Sequence, residues 1–121
     1  MHYTKELTVT ANTLIGAPVS TTIDLPAGVL DKIEITFPPG CARLVLAQIF
    51  DGATMLYPKT AGMSYSYDAY TVTINDFVIW DAAKTLTLKA WSPGTTYQHK
   101  LIFNFYVRSQ EEIAMSRSAY Y

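Results

Sequence analysis

Residues 29–50, VLDKIEITFPPGCARLVLAQIF, decide the fold: two strand-like runs joined by a stiff, narrow corner. In the first run Ile33, Ile35 and Phe37 alternate with Lys32, Glu34 and Thr36. A period of two places the apolar residues on one face of a strand and the polar ones on the other. Pro38 and Pro39 then remove two backbone donors and fix φ, so no ladder continues through them. Gly40 permits the reversal that follows. In the second run, residues 43–50, Leu44, Leu46 and Phe50 share one face and Val45, Ala47 and Ile49 the other. The first strand is expected to be half-solvated and the second covered on both sides. That asymmetry predicts a sheet packed on another sheet or on a partner.

The same alternation recurs on either side. Residues 3–11 set Leu7, Val9 and Ala11 against Glu6, Thr8 and Thr10; residues 19–25 set Val19, Ile23 and Leu25 against Ser20, Thr22 and Asp24. Residues 12–18 read as a turn-like connection, and Pro26, Ala27 and Gly28 as a turn into the central strand. Asp51-Gly52 is a hairpin signal that returns the chain onto residues 53–57, with Met55 and Tyr57 opposite the end of the previous run. Residues 58–69, PKTAGMSYSYDA, form one long irregular segment, and loops of about 12 residues are often functional. Alternation resumes at residues 70–74. Residues 75–84 leave a short strand and a helical turn both open at Phe77, Val78, Ile79 and Trp80. Residues 85–92 and 98–107 complete the series, the last with Leu101, Phe103, Phe105 and Val107 facing in. Its other face carries Lys100, Ile102, Asn104 and Tyr106, too apolar for plain solvent.

About eight short strands with Gly/Pro punctuation predict an all-β chain, a single β-sandwich of jelly-roll-like or Greek-key type. Residues 1–107 form the sandwich domain. Residues 108–121, RSQEEIAMSRSAYY, lose the period of two and are expected to be a C-terminal arm. Ile113, Met115, Tyr120 and Tyr121 are odd choices for a tail left in water.

Composition narrows the function. The chain has 121 residues, room for one core, and a formal net charge of −1. Only 16% of residues are charged, against an average of about 25%, and no Lys/Arg cluster could neutralise nucleic-acid phosphates. An apolar content of 50% with nine tyrosines excludes disorder and points to a surface covered in part by a protein partner. No apolar run approaches the length of a membrane span. The first residues, MHYTKELTVT, lack the apolar core of a signal peptide, so synthesis in a cytoplasm is expected.

No phosphate-cradling loop, HExxH, GxSxG or CxxC is present. Catalysis would require Cys41 and His99 to meet, or the loop carboxylates Asp68, Asp76 and Asp81 to converge. A buried turn cysteine, a hydrogen-bonded imidazole and Asx turns are the simpler expectations. No cofactor or metal is therefore expected. Sugar binding is the stronger rival, because Tyr65, Tyr67, Tyr70, Trp80, Trp91 and Tyr97 could stack on pyranose rings; aromatics also fill β cores and interfaces.

Four segments in order along residues 5–107 carry a resemblance: FPPGCARLVLAQIF, LYP, YDAYTVTI and LKAWSPGTTYQHKLIFNFYV. They resemble small virion-associated β-sandwich proteins of tailed bacteriophages. The resemblance implies a non-enzymatic structural subunit on a particle: a capsid decoration or a head, neck or tail accessory protein. It would be homo-oligomeric, located in the virion, and bound to capsid or tail proteins rather than to nucleic acid or membrane. A glycan-binding host-adhesion module is the alternative. The residues expected to anchor partners are Tyr65 and Tyr67 in the long loop, Ile102 and Tyr106 on the last strand, and Ile113, Met115, Tyr120 and Tyr121 in the arm.

Overall fold

The computed structural model describes residues 2–60 and 62–108. Every regular element among them is a strand: β1 (His2–Val9), β2 (Val19–Leu25), β3 (Gly28–Phe37), β4 (Leu46–Asp51), β5 (Thr54–Tyr57), β6 (Tyr70–Trp80), β7 (Lys84–Trp91) and β8 (His99–Arg108). They form two antiparallel four-stranded sheets, ordered β1-β8-β3-β6 and β2-β7-β4-β5. First pairs with last, second with seventh, third with sixth and fourth with fifth. A chain doubled on itself and wound into two layers in this way is a jelly roll.

Alternation explains the interior. Leu101, Phe103, Phe105 and Val107 of β8 and Ile33, Ile35 and Phe37 of β3 line the inner face of the first sheet, all buried. Leu86, Leu88 and Ala90 of β7 and Ala47 and Ile49 of β4 face them from the second sheet. Each large apolar side chain so placed stabilises the fold by about 1.5–3 kcal/mol relative to exposure.

The structure differs from the expectations at several points. Residues 43 and 44 are not strand: Ala42 and Arg43 have φ of 49° and 61°, and the Leu44 N–H closes a turn onto the Cys41 carbonyl. Left-handed backbone cannot enter a ladder, so β4 starts at Leu46. Nor is β4 covered on both faces: Ala47 and Ile49 are buried, whereas Leu46 and Phe50 are half-buried and Leu44 is exposed. The ambiguous residues 75–80 continue β6 without a break. A bulge between Leu30 and Lys32 shifts the register against both neighbours of β3, which brings Leu30 and Val78 inward together. The first strand ends at Val9, and Asn12 beyond it has φ of 52°.

The two edge strands on one side, β5 and β6, are stitched by side chains. The Tyr57 hydroxyl donates to Asp76 Oδ2 at 2.6 Å, and Lys59 Nζ lies 3.1 Å from the same oxygen. The Phe77 N–H donates to Asp76 Oδ1 at 2.8 Å. The Tyr57 hydroxyl above all, then the Phe77 amide and Lys59, pull the Asp76 carboxyl down to about 2. Burial first, then the adjacent carboxylate, pushes the Tyr57 hydroxyl up. Asp76→Asn is expected to lose about 1.5–3 kcal/mol at neutral pH, the range for hydrogen bonds to a charged group. Because the folded carboxyl titrates below its unfolded value, its contribution is complete above about pH 4–5 and is lost as pH falls towards 2. Urea midpoints of the two proteins should therefore converge with acidification; a constant gap would exclude the charge as the cause.

Candidate interaction surface

Antiparallel winding collects the connections 10–18, 38–45, 58–69 and 92–98 at one end of the sandwich, because Val9, Phe37, Leu46, Tyr70, Trp91 and His99 all lie there. The turns 26–27, 52–53 and 81–83 occupy the other end.

The gathered loops are held in pairs. Asp68 Oδ1 accepts from the Gly40 and Ala42 amides at 3.0 and 3.1 Å, and the Ala69 N–H reaches the Pro38 carbonyl. Tyr65 exchanges two backbone hydrogen bonds with Ala47, and Gln48 Nε2 donates to the Met63 carbonyl at 2.7 Å. Across the end, Asn12 accepts from the Gly94 amide through its side chain and donates its own N–H to Thr95 Oγ1. Buried Ser92 donates to the Thr10 carbonyl at 2.9 Å, and Thr95 donates back to the Ser92 carbonyl at 2.9 Å. Side chains that cap loop amides in this way leave little backbone to fluctuate.

On this braced end stand exposed apolar side chains. Of the eight large exposed hydrophobics among the described residues, Leu14, Ile15, Leu44, Met63, Tyr70 and Tyr97 are here, with Ile15 at 69% and Tyr97 at 76% exposure. Residues 10–18 and 92–98 contain no charged residue. Scattered exposed apolar residues need no explanation, but their concentration on one pinned, charge-poor end makes that end the candidate interaction surface.

Of the residues singled out from the sequence, two lie in the 58–69 connection at this same end and two on the last strand. Tyr65 and Tyr67 are half-buried and pack on the core, Tyr67 tilted against Phe37 and Tyr70 at ring distances of 5.9 and 5.1 Å. Burial, then the neighbouring Tyr67, raises the Tyr65 hydroxyl pKa. Ile102 and Tyr106 are half-buried on the outer face of the first sheet. The Tyr106 hydroxyl donates to Glu34 Oε1 at 2.6 Å, its ring stacks on His2 at 4.8 Å, and Lys32 Nζ sits 5.0 Å from its centroid. The hydrogen bond to Glu34, then burial, raises the pKa of that hydroxyl. Ile113, Met115, Tyr120 and Tyr121 lie outside the described residues.

Of the aromatics considered for sugar stacking, Trp80 and Trp91 are buried, and Tyr70 and Tyr97 are exposed. Cys41 is fully buried, and burial, then Asp68, pushes its thiol up to about 11, leaving it protonated at neutral pH. His99 lies beside Gly40, where a Cβ would sit 3.5 Å from Nε2, and its Nδ1 is buried with no hydrogen-bond partner among the described residues. Asp68 and Asp76 are occupied by the loop amides and by Tyr57. No group of three His, Cys, Asp or Glu among the described residues could hold a metal ion, and no helix there is long and apolar enough to cross a membrane.

Sequence reasoning missed Leu14, Ile15, Leu44 and Met63. The legible signal was an apolar pair, Leu14-Ile15, inside a polar turn-like connection; nothing local announces that four distant loops converge.

No protein-family model matches the chain, and no curated protein matches it. Solved structures do. A chain of the cyanophage Pam1 capsid asymmetric unit is similar at 11% identity and a TM-score of 0.58, over 89% of this chain and 84% of that one. At that identity the likeness is one of fold. An infectious bursal disease virus particle protein (12% identity, TM-score 0.42) is matched over 88% of this chain and 31% of that one. A CBM32 module from a Clostridium perfringens glycoside hydrolase (14%, TM-score 0.38) is matched over 87% and 93%. Scores this low carry no functional argument.

Proposed function

We propose that this chain is a non-enzymatic structural subunit of a tailed-phage particle, a capsid decoration or a head, neck or tail accessory protein. It binds neighbouring virion proteins and further copies of itself through the loop end of the jelly roll. The observation that carries this reading is the concentration of Leu14, Ile15, Leu44, Met63, Tyr70 and Tyr97 on one braced, charge-poor end. Loops already held in place lose little entropy on docking, so apolar anchors on them convert efficiently into affinity. The jelly roll shared with a phage capsid chain and the low overall charge fit a subunit that lives among protein neighbours.

The test is incorporation into particles of the phage that supplies the chain, measured by quantitative mass spectrometry. Leu14→Ser with Ile15→Ser should lower occupancy at least about tenfold, as expected when central anchors of about 2 kcal/mol are removed. The thermal midpoint should stay nearly unchanged, because both side chains are solvated in the isolated chain. Full occupancy of the double variant, or absence of the wild-type chain from purified particles, would refute the proposal.

A glycan-binding module is the second reading, supported by exposed Tyr70 and Tyr97 at the same end. A glycan array with the purified chain separates the two: saturable sugar binding that Tyr97→Ala abolishes, with no incorporation into particles, favours the module.

A further inference from the structure

An open sheet edge offers its backbone groups to any passing strand, and folded chains blunt such edges with short strands, bulges or an inward-pointing charge. Among the described residues the two sheets end in β1, β6, β2 and β5. Three of these are blunted. β5 is only four residues long. β6 breaks register with β3 between Asn75 and Val78, and Asp76 in that break turns inward to Tyr57. β1 sets Lys5 on its inner face, in register with buried Phe103.

β2 has none of these devices. It pairs with β7 in unbroken register over all seven residues, and its inner-face residues Val19, Thr21, Ile23 and Leu25 carry no charge. Pro18 and Pro26 bound it, and neither has an N–H with which to lengthen a ladder.

The strand is also complementary to itself run backwards. An antiparallel pair that uses all of β2 puts Thr22 on a twofold axis, Thr21 opposite Ile23, Ser20 opposite Asp24 and Val19 opposite Leu25. Apolar then meets apolar at the ends and hydroxyl meets hydroxyl at the centre. The one charge, Asp24, faces a hydroxyl donor rather than its own copy, and Thr85 already holds its Oδ1 at 2.6 Å on the outer face. Such cross-strand pairs stabilise antiparallel sheets, whereas like charges directly opposite destabilise them. A register centred on Asp24 would set two carboxylates face to face; one centred on Thr21 or Ile23 would shorten the ladder or draw a proline into it.

We infer that β2 is the pairing edge for a second copy of this chain, antiparallel about Thr22, which joins two β2-β7-β4-β5 sheets into one of eight strands. A contact of this kind uses the same edge on both copies, so it closes at a dimer. It goes beyond the assembly reading, which concerns the loop end, and does not depend on it.

Two measurements on the full chain test it. Ser20 and Thr22 are exposed, so substitutions there should leave the fold intact. In sedimentation equilibrium the chain should dimerise reversibly. Ser20→Lys meets Asp24 of the other copy twice and should tighten the dimer at least about threefold, while Ser20→Asp loosens it by a similar factor. A chain still monomeric at about 1 mM overturns the inference, as does a dimer indifferent to both substitutions. Loss of such an indifferent dimer in Leu14→Ser with Ile15→Ser would place the contact at the loop end, so the two readings fail separately. In the second measurement, on a Cys41→Ala background, diamide should link Thr22→Cys chains into covalent dimers. Ser20→Cys chains should stay unlinked, because in this register their thiols are offset by four residues, roughly 13 Å along the strand. Linking of Ser20→Cys as readily as Thr22→Cys, or of neither, overturns the inference.

Discussion

Gly28→Ala should lose about 2–5 kcal/mol of stability, the sum of a strained backbone and a forced displacement. Gly28 opens β3 at φ of 150°, a region that side chains rarely enter. A Cβ there would clash with the Arg108 carbonyl oxygen, far inside van der Waals contact, and would lie 3.2 Å from a Val107 methyl. The obstacle is backbone, so no rotamer change relieves it: β8 must move away from β3. That displacement would disturb the pairing of Val29 with Arg108. Chemical denaturation measures the loss; a change below about 0.5 kcal/mol, typical of a neutral surface substitution, would rule out the close approach.

Phe103→Ala is expected to be as damaging, at about 3–5 kcal/mol, because it removes a ring from a close-packed centre that cannot collapse around the void. Phe103 is fully buried in β8, which is flanked by β1 at Lys5 and by β3 at Ile35 and looks towards the second sheet. Marginal domains hold about 5–15 kcal/mol in total, so this variant should be close to unfolding at physiological temperature. Ile102→Ala, one residue along on the half-buried outer face, is the control and should lose far less. Equal losses at the two positions would mean that the inward face of β8 is wrongly assigned.

The residues that read most clearly as sequence are those whose environment is set by local period. The four inward residues of β8 and the three of β3 follow from alternation alone, and the Asp51-Gly52 hairpin follows from the turn preference of that dipeptide. Alternation misleads where a local irregularity resets its phase. The bulge beside Asp31 moves the inward face of β3 from Leu30 to Ile33, whereas β6 keeps its period of two through Val78 and Trp80, with Phe77 and Ile79 outward, and reads ambiguously only because both of its faces are apolar there. Left-handed Ala42 and Arg43 likewise remove Leu44 from the strand that its hydrophobicity suggests.

The candidate surface was legible only in part. Tyr65 and Tyr67 have the composition of interface anchors, yet the loop that carries them is clipped to Ala47 and laid on the core, so their rings are spent on packing within the chain. Leu14, Ile15 and Tyr97 became a surface because Asn12, Ser92 and Thr95 lock two connections together that are some 80 residues apart in sequence, as the Gly94–Asn12 bond at a separation of 82 illustrates. By itself the sequence determined the class of element, the buried face of most strands and the all-β sandwich, since these depend on side chains a few positions apart. The tertiary structure alone decided the nested pairing order, the phase shift within β3 and the meeting of four loops at one end. Those depend on contacts between segments far apart in the chain, whose free energy appears only once both sheets have formed and closed on a common core.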